Sequence, residues 1–180
     1  MRKLISLGLW YSSKAKLYFR KGEELFQQYR FPESIQLFQE SIEFASKAIC
    51  EFFKRDYRKE HDVSEHLEEI AKDIGSLKKE LSRLALASSR WVGMRQKTRG
   101  IIRYGNQRAG VPAIEIIRKK DVELIRDDAR EACHLLNRIE FQIKLKPPIK
   151  VGILNGCVER DNTSERCCNH YAWTEFSIDE

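Results

Sequence analysis

The sequence predicts an all-α fold: an up-and-down antiparallel bundle of four long helices plus a short one, followed by an irregular C-terminal tail. Three observations predict it. Apolar residues recur at three- and four-residue steps over several long stretches, the period of a helix with one buried face. Short breaks carrying proline, glycine or dense charge separate those stretches. With 42% hydrophobic and 33% charged residues but only four prolines among 180, the chain suits a globular helical protein rather than a linker. Its length is that of one ordinary domain with its own core.

The first helix is expected from Ser12 to Tyr29, with Ser12 or Ser13 as its cap. Ala15, Tyr18, Phe19, Gly22, Leu25, Phe26 and Tyr29 share one face, and Lys14, Lys16, Lys21 and Glu24 lie on the other. Arg30-Phe31-Pro32-Glu33 breaks and restarts the chain, because proline fits the first turn of a helix, where its missing N–H costs nothing. Helix two then runs to about Phe53 on Ile35, Phe38, Ile42, Ala45 and Ile49. So short a connection makes these two helices antiparallel neighbours.

Lys54–Glu60 is a charged connection. Asp62 with Glu65 three residues on has capping-box spacing. Val63, Leu67, Ile70, Ile74, Leu77, Leu81 and Leu84 then predict one long third helix to about Ser89, which Gly75 weakens by ~1 kcal/mol without ending it. The last helix spans about Asp121 to Lys144, with Val122, Ile125, Ala129, Ala132, Cys133 and Leu136 turned inward; Pro147-Pro148 forbids its continuation. The bundle is thus assigned to residues 1–148 and a poorly structured tail to 149–180.

The chain carries a net charge of +6, which favours polyanionic partners such as nucleic acid or nucleotide phosphates. The excess is concentrated: Arg90–Lys120 holds nine cations against the single acid Glu115, with Trp91 and Tyr104 interleaved and Gly100, Gly105, Gly110 and Pro112 breaking the helical period. Arginine and lysine neutralise phosphates while an aromatic ring stacks on a base. Arg95, Lys97, Arg99, Arg103, Tyr104 and Arg108 are therefore the candidate nucleic-acid or nucleotide-binding residues.

Five cysteines are an odd number. Leu4–Trp10 is too short for a membrane span and lacks a small-residue cleavage site, so the chain reads as cytoplasmic with reduced thiols. Cys157, Cys167, Cys168 and His170 form no C-x2-C pair and do not suit tetrahedral zinc. There is no phosphate-binding loop and no dinucleotide fingerprint. No metal and no cofactor is expected.

Several segments resemble the HEPN family (higher eukaryotes and prokaryotes nucleotide-binding). They are Phe31-Pro32-Glu33-Ser34-Ile35; Gln39-Glu40-Ser41-Ile42-Glu43 with Ala45, Lys47 and Ala48; His61-Asp62-Val63-Ser64 with Leu67; Arg103-Tyr104-Gly105; and Asp128-Ala129 with Ala132. The likeness covers roughly 12–145, and chains of this appearance resemble the archaeal branch. The resemblance implies a helical bundle, commonly a homodimer, associated with nucleotides or RNA. It also implies, for many relatives, a toxin–antitoxin role beside a minimal nucleotidyltransferase. Catalytic members cut RNA without metal, using an arginine and a histidine separated by a short interval.

Such cleavage needs a base near neutral pKa and a cation for the phosphorane. Arg130 and His134 have three residues between them and Arg126 and His134 seven, and neither is the interval of four to six residues that the resemblance implies. Arg55 and His61, with five between them, are the candidate catalytic pair of the rival reading, a ribonuclease toxin. His134 is expected against the core beside Cys133, and Asp127-Asp128 on the solvent side. The leading expectation is a binding module; the second rival is a non-catalytic helical interaction protein.

Overall fold

The structure is a computed structural model and describes residues 2–57, 61–93, 100–102 and 104–145. It is all-helical, as the apolar period predicts: α1 (Arg2–Gln27), α2 (Phe31–Phe52), α3 (Ser64–Asp73), a 3₁₀ turn (Gly75–Leu77), α4 (Lys78–Ala87), a π-helical turn (Ser88–Gly93), the one-turn α5 (Ala113–Ile116) and α6 (Lys119–Leu145). The tail assigned to 149–180 lies outside the described residues.

Helix α2 is the axle. Phe38, Ile42, Ala45, Ala48 and Ile49 are wholly buried, so the stripe read from the sequence is the core. Its start is set by Pro32 in the first turn. Helix α1 runs antiparallel to it along a seam of small residues at seven-residue spacing, Gly8, Ala15 and Gly22. A Cβ placed on Gly8 would sit 2.6 Å from the Phe52 ring, and one on Gly22 would sit 2.7 Å from the Phe38 ring. Between them Ser41 Oγ donates to the Ala15 carbonyl at 2.9 Å.

Helix α1 begins at Arg2, ten residues earlier than the sequence predicts, because the Leu4–Trp10 stretch continues the helix instead of preceding it. Ser12 is accordingly a buried mid-helix residue and Ser13 Oγ donates to the Leu9 carbonyl; neither caps. At the other end Tyr29 leaves the helix with φ 59° and is 71% exposed, so it belongs to the turn and not to the buried face.

The predicted third rod is two helices. Ile74 leaves the helical region at φ −120°, ψ 86°, and α4 folds back against α3. Asp73, Gly75 and Ser76 are poor helix interiors, so the break falls there. The hairpin register is fixed by Ser82 Oγ donating to Glu68 Oε2 and Ser88 Oγ donating to Asp62 Oδ1, both at 3.0 Å. The apolar series survives the fold: Val63, Leu67 and Ile70 from α3 and Leu77, Leu81 and Leu84 from α4 are all buried. Asp62 accepts the Ser64 N–H at 3.0 Å, but the N-cap of α3 is Val63, whose side chain makes no capping hydrogen bond, so the expected cap at Asp62 falls one residue early.

Helix α6 closes the bundle. Val122, Ile125, Ala129, Leu136 and Ile139 are buried. Arg126 clamps Glu23 of α1 in a two-pronged ion pair of 2.5 and 2.6 Å, and Lys16 reaches Glu140 at 2.7 Å. The fork geometry adds direction as well as charge. Along α4, Arg83 pairs with Glu131 and Arg138 with Glu80, each at 2.7 Å. No described helix is long and apolar enough to cross a membrane.

Candidate nucleic-acid interface

At the end of the bundle where α1 turns into α2, three pieces of chain meet: the 28–30 turn, the segment 100–117 and the start of α6. A cleft of about 410 Å³ lies between the start of α2 and this segment, lined by Arg30, Pro32, Glu33, Gln36, Ile102, Ala113 and Ile114.

The segment folds as a tight turn. Asn106 and Val111 exchange backbone hydrogen bonds of 2.8 and 3.1 Å, and the Asn106 side-chain oxygen accepts the Ala109 N–H at 3.2 Å. Gly105 and Gly110 both have positive φ, 68° and 66°. Only glycine serves at 105, where a Cβ would fall 2.2 Å from the Val111 oxygen. The turn leaves Arg108 exposed at its tip, and Tyr104 just before it is 63% exposed.

Helix α6 then begins with Lys119 and Lys120, directly after Arg118, all three exposed. Cations at the positive end of a helix oppose its dipole and cost roughly 0.3–1 kcal/mol each. Asp121 offsets part of this by accepting the Arg118 N–H at 3.0 Å. Lys119 lies 6.0 Å over the Phe26 ring and 3.7 Å from Glu123. Arg108, Arg118 and Lys120 hold no carboxylate among the described residues. Of the acids here, Glu33 is already bound: burial pushes its carboxyl up, but the Arg30 guanidinium, donating at 2.8 and 3.1 Å, outweighs that and holds it below the usual range.

Of the six binding residues expected from the sequence, Tyr104 and Arg108 stand at this end. Arg95, Lys97, Arg99 and Arg103 lie outside the described residues. Trp91, the other aromatic of the basic run, is half-buried and donates its indole N–H to Asp128 at 2.6 Å. That bond also turns Asp128 inward, so of the acidic pair only Asp127 is on the solvent side. The aromatic missed by sequence reading is Tyr29. Its signal was its place beside Arg30 and Pro32, where a helix must end.

Arg55 and His61 each find their own carboxylate. Arg55 pairs with Asp73 at the far end of α3 and lies 3.8 Å from Glu69. His61 Nδ1 lies 3.0 Å from Glu43 Oε1, a carboxylate that is 4% exposed and also receives Lys47 at 2.8 Å. The imidazole itself is largely exposed. Thus Glu43, Lys47 and His61, dispersed in the sequence, form one cluster where the 53–63 connection crosses α2.

His134 is exposed, contrary to the expected core position: it sits on the side of α6 away from α2, while Cys133 one residue before it takes the inward place. It borders a second cleft, of about 310 Å³, between α4 and α6. Four of the charges of that cleft are taken up by the Arg83–Glu131 and Arg138–Glu80 pairs. Burial raises the Cys133 thiol pKa above its ordinary value, and Ser41 Oγ lies 3.6 Å from its sulfur, so it is an unreactive packing group. Among the described residues no three potential ligands gather as a metal site.

With this geometry in place, comparison with family models gives a match to the HEPN domain over residues 9–139. The chain belongs to the HEPN family. No curated protein and no solved structure matched it. The matched span runs from the first turns of α1 almost to the end of α6, so the hairpin, the basic turn and the Glu43 cluster all lie inside this HEPN domain.

Proposed function

We propose that this HEPN domain binds RNA or nucleotide phosphates at its basic end and acts as a binding module rather than a nuclease. One observation carries the reading: Arg108, Arg118 and Lys120 stand exposed with no carboxylate partner among the described residues, on the chain segment that also presents exposed Tyr104 and lends Ile102, Ala113 and Ile114 to the cleft. Unneutralised cations supply the phosphate attraction and the phenol rings supply stacking faces. A homodimer and a nucleotidyltransferase partner belong to the same reading, as does a cytoplasmic location.

The ribonuclease alternative draws on His61, whose Nδ1 is held by buried Glu43 while the rest of the ring faces solvent, the arrangement of an oriented base. Among the described residues the second component is not in place, because the Arg55 guanidinium is engaged by Asp73.

Fluorescence anisotropy with a labelled single-stranded oligonucleotide tests the proposal. Wild-type affinity should fall with salt, and replacing Arg108, Arg118 and Lys120 together by alanine should make the log–log salt slope less negative by about 2, three charges at ~0.7 each. Equal slopes for the two proteins would refute it. The same samples should leave RNA intact over time; cleavage abolished by His61→Ala would favour the nuclease.

A further inference from the structure

We propose that the outer face of α1 is a second RNA contact, a track along which a single strand runs away from the basic end. This rests on the binding reading above and extends it to the ligand's form: single-stranded rather than a lone nucleotide.

The track is a stripe of alternating aromatic and cationic residues. Trp10, Lys14, Tyr18 and Lys21 follow one another at four-, four- and three-residue steps and so share one face of α1. Trp10 is 51% exposed although it is a large apolar group on a helix surface. The Lys14 ammonium sits 5.4 Å over its ring, which holds a cation beside the stacking plane. Tyr18 is stacked on Phe44 of α2 at 5.4 Å and 8°, and Trp10 meets the same Phe44 edge-on at 6.2 Å, so the rings are braced from behind. Farther along the chain the stripe reaches exposed Tyr29 beside the basic cleft. Trp10 to Tyr29 spans about 28 Å at ~1.5 Å per residue, room for several nucleotides.

Charge favours this occupant over a protein. Lys14 and Lys21 hold no carboxylate among the described residues. On α2, Glu51 accepts the Tyr57 hydroxyl at 2.5 Å and Glu40 the Gln36 amide at 3.4 Å, and neither is paired with Lys14 or Lys21. Aromatic rings interleaved with uncompensated lysines are the pattern of sequence-tolerant single-strand binding, in which each ring takes a base and each lysine a phosphate.

The test uses the full chain with labelled oligouridylates of ~4 and ~16 nucleotides. The long strand should bind more tightly than the short one. Trp10→Ala, and separately Lys14→Ala with Lys21→Ala, should remove that advantage, weakening the long strand roughly 5- to 150-fold by the range of one lost stacking contact. Short-strand affinity should not change, which also shows that the variants are folded. The variant with Arg108, Arg118 and Lys120 replaced by alanine should bind both strands more weakly. Equal affinity of wild type for both lengths, or a long strand indifferent to Trp10→Ala, overturns the track and leaves the basic end standing. Failure of wild type to bind either strand overturns both. If Trp10→Ala instead turns a dimer into a monomer in sedimentation without changing long-strand affinity, the face is a self-contact and the track is wrong.

Discussion

Alanine at Gly22 and alanine at Gly75 should move stability in opposite directions, although both replace a glycine by the best helix former. At Gly75 an added Cβ meets nothing within 4 Å, and the change mainly restricts the unfolded chain, a gain of ~0.4–1 kcal/mol. At Gly22 the helix gains ~1 kcal/mol in propensity. The new Cβ, however, lies 2.7 and 2.9 Å from two carbons of Phe38. That ring is wholly buried, with Phe19 packed on it at 5.8 Å, so it has nowhere to turn. Overpacking of this kind costs ~1–3 kcal/mol, and an enclosed ring belongs at the upper end. The net result is a loss of ~1–2 kcal/mol. For a chain of this size each kcal/mol moves the midpoint by ~2–4 °C, so thermal melts followed by far-ultraviolet circular dichroism should separate the variants clearly. Gly75→Ala should melt above wild type and Gly22→Ala below it. If Gly22→Ala melts as high as Gly75→Ala, α1 and α2 do not touch along the Gly8–Ala15–Gly22 seam, and the placement of the α1 face is wrong.

Two further outcomes follow from the charged clusters. The Arg138 guanidinium bonded to Glu80 holds that carboxyl below the usual carboxylate range, against the opposing effect of burial. A depressed folded-state pKa stabilises above the unfolded value and is lost as pH falls through it, so the gap between wild type and Arg138→Ala should be constant near neutrality and close below about pH 4; because both groups are well exposed it should stay under ~1 kcal/mol, and a gap that widens on acidification would refute the pairing. Glu43→Gln leaves half-buried Lys47 without this carboxylate and should cost ~2–3 kcal/mol in melts, whereas His61→Ala, which removes an exposed ring, should cost ~1 kcal/mol or less; equal losses would show that the cluster is held together by the imidazole instead.

The helical class, the α1–α2 break at Pro32 and the apolar stripe of every major helix were legible because each depends on local periodicity. The fold-back at Ile74 was not. Val63 to Leu84 keeps one helical period straight through the break, and two stacked short helices bury that stripe as well as one long helix would. Only weak local signals, Asp73, Gly75 and Ser76, distinguish the two, and they act through tertiary contacts such as Ser88 with Asp62. His134 was misplaced for a related reason: Cys133 and His134 are adjacent, a helix turns by about 100° per residue, and periodicity alone does not say which of two neighbours faces in. At the candidate site Tyr104 and Arg108 were found through composition. Tyr29 was hidden because an aromatic at helical spacing reads first as core, and Trp10 because the first helix was expected to begin only at Ser12; Lys14 was placed on the outer face, but only the packing of α2 on the other side of α1 shows which rings stand beside it.

Catalysis and binding make different demands on the same residue types, and the described residues meet only one set. A transesterifying pair needs its cation free to meet developing charge next to the base. Here the cation of the Arg55/His61 pair is spent at the far end of α3, nine residues and about 14 Å from where α3 begins, and His61 is anchored back onto α2 by Glu43. Phosphate binding instead requires cations that no neighbour has neutralised. Most of the described arginines that bridge helices, at 55, 83, 126 and 138, are used as structural clamps. Among the described cations with no carboxylate partner, Arg108, Arg118 and Lys120 lie on the segment that leads into α6, and Arg118 and Lys120 stand where its dipole makes them unfavourable for folding. Charge kept where it opposes stability, and left unpaired, is better accounted for by an anionic ligand than by the fold.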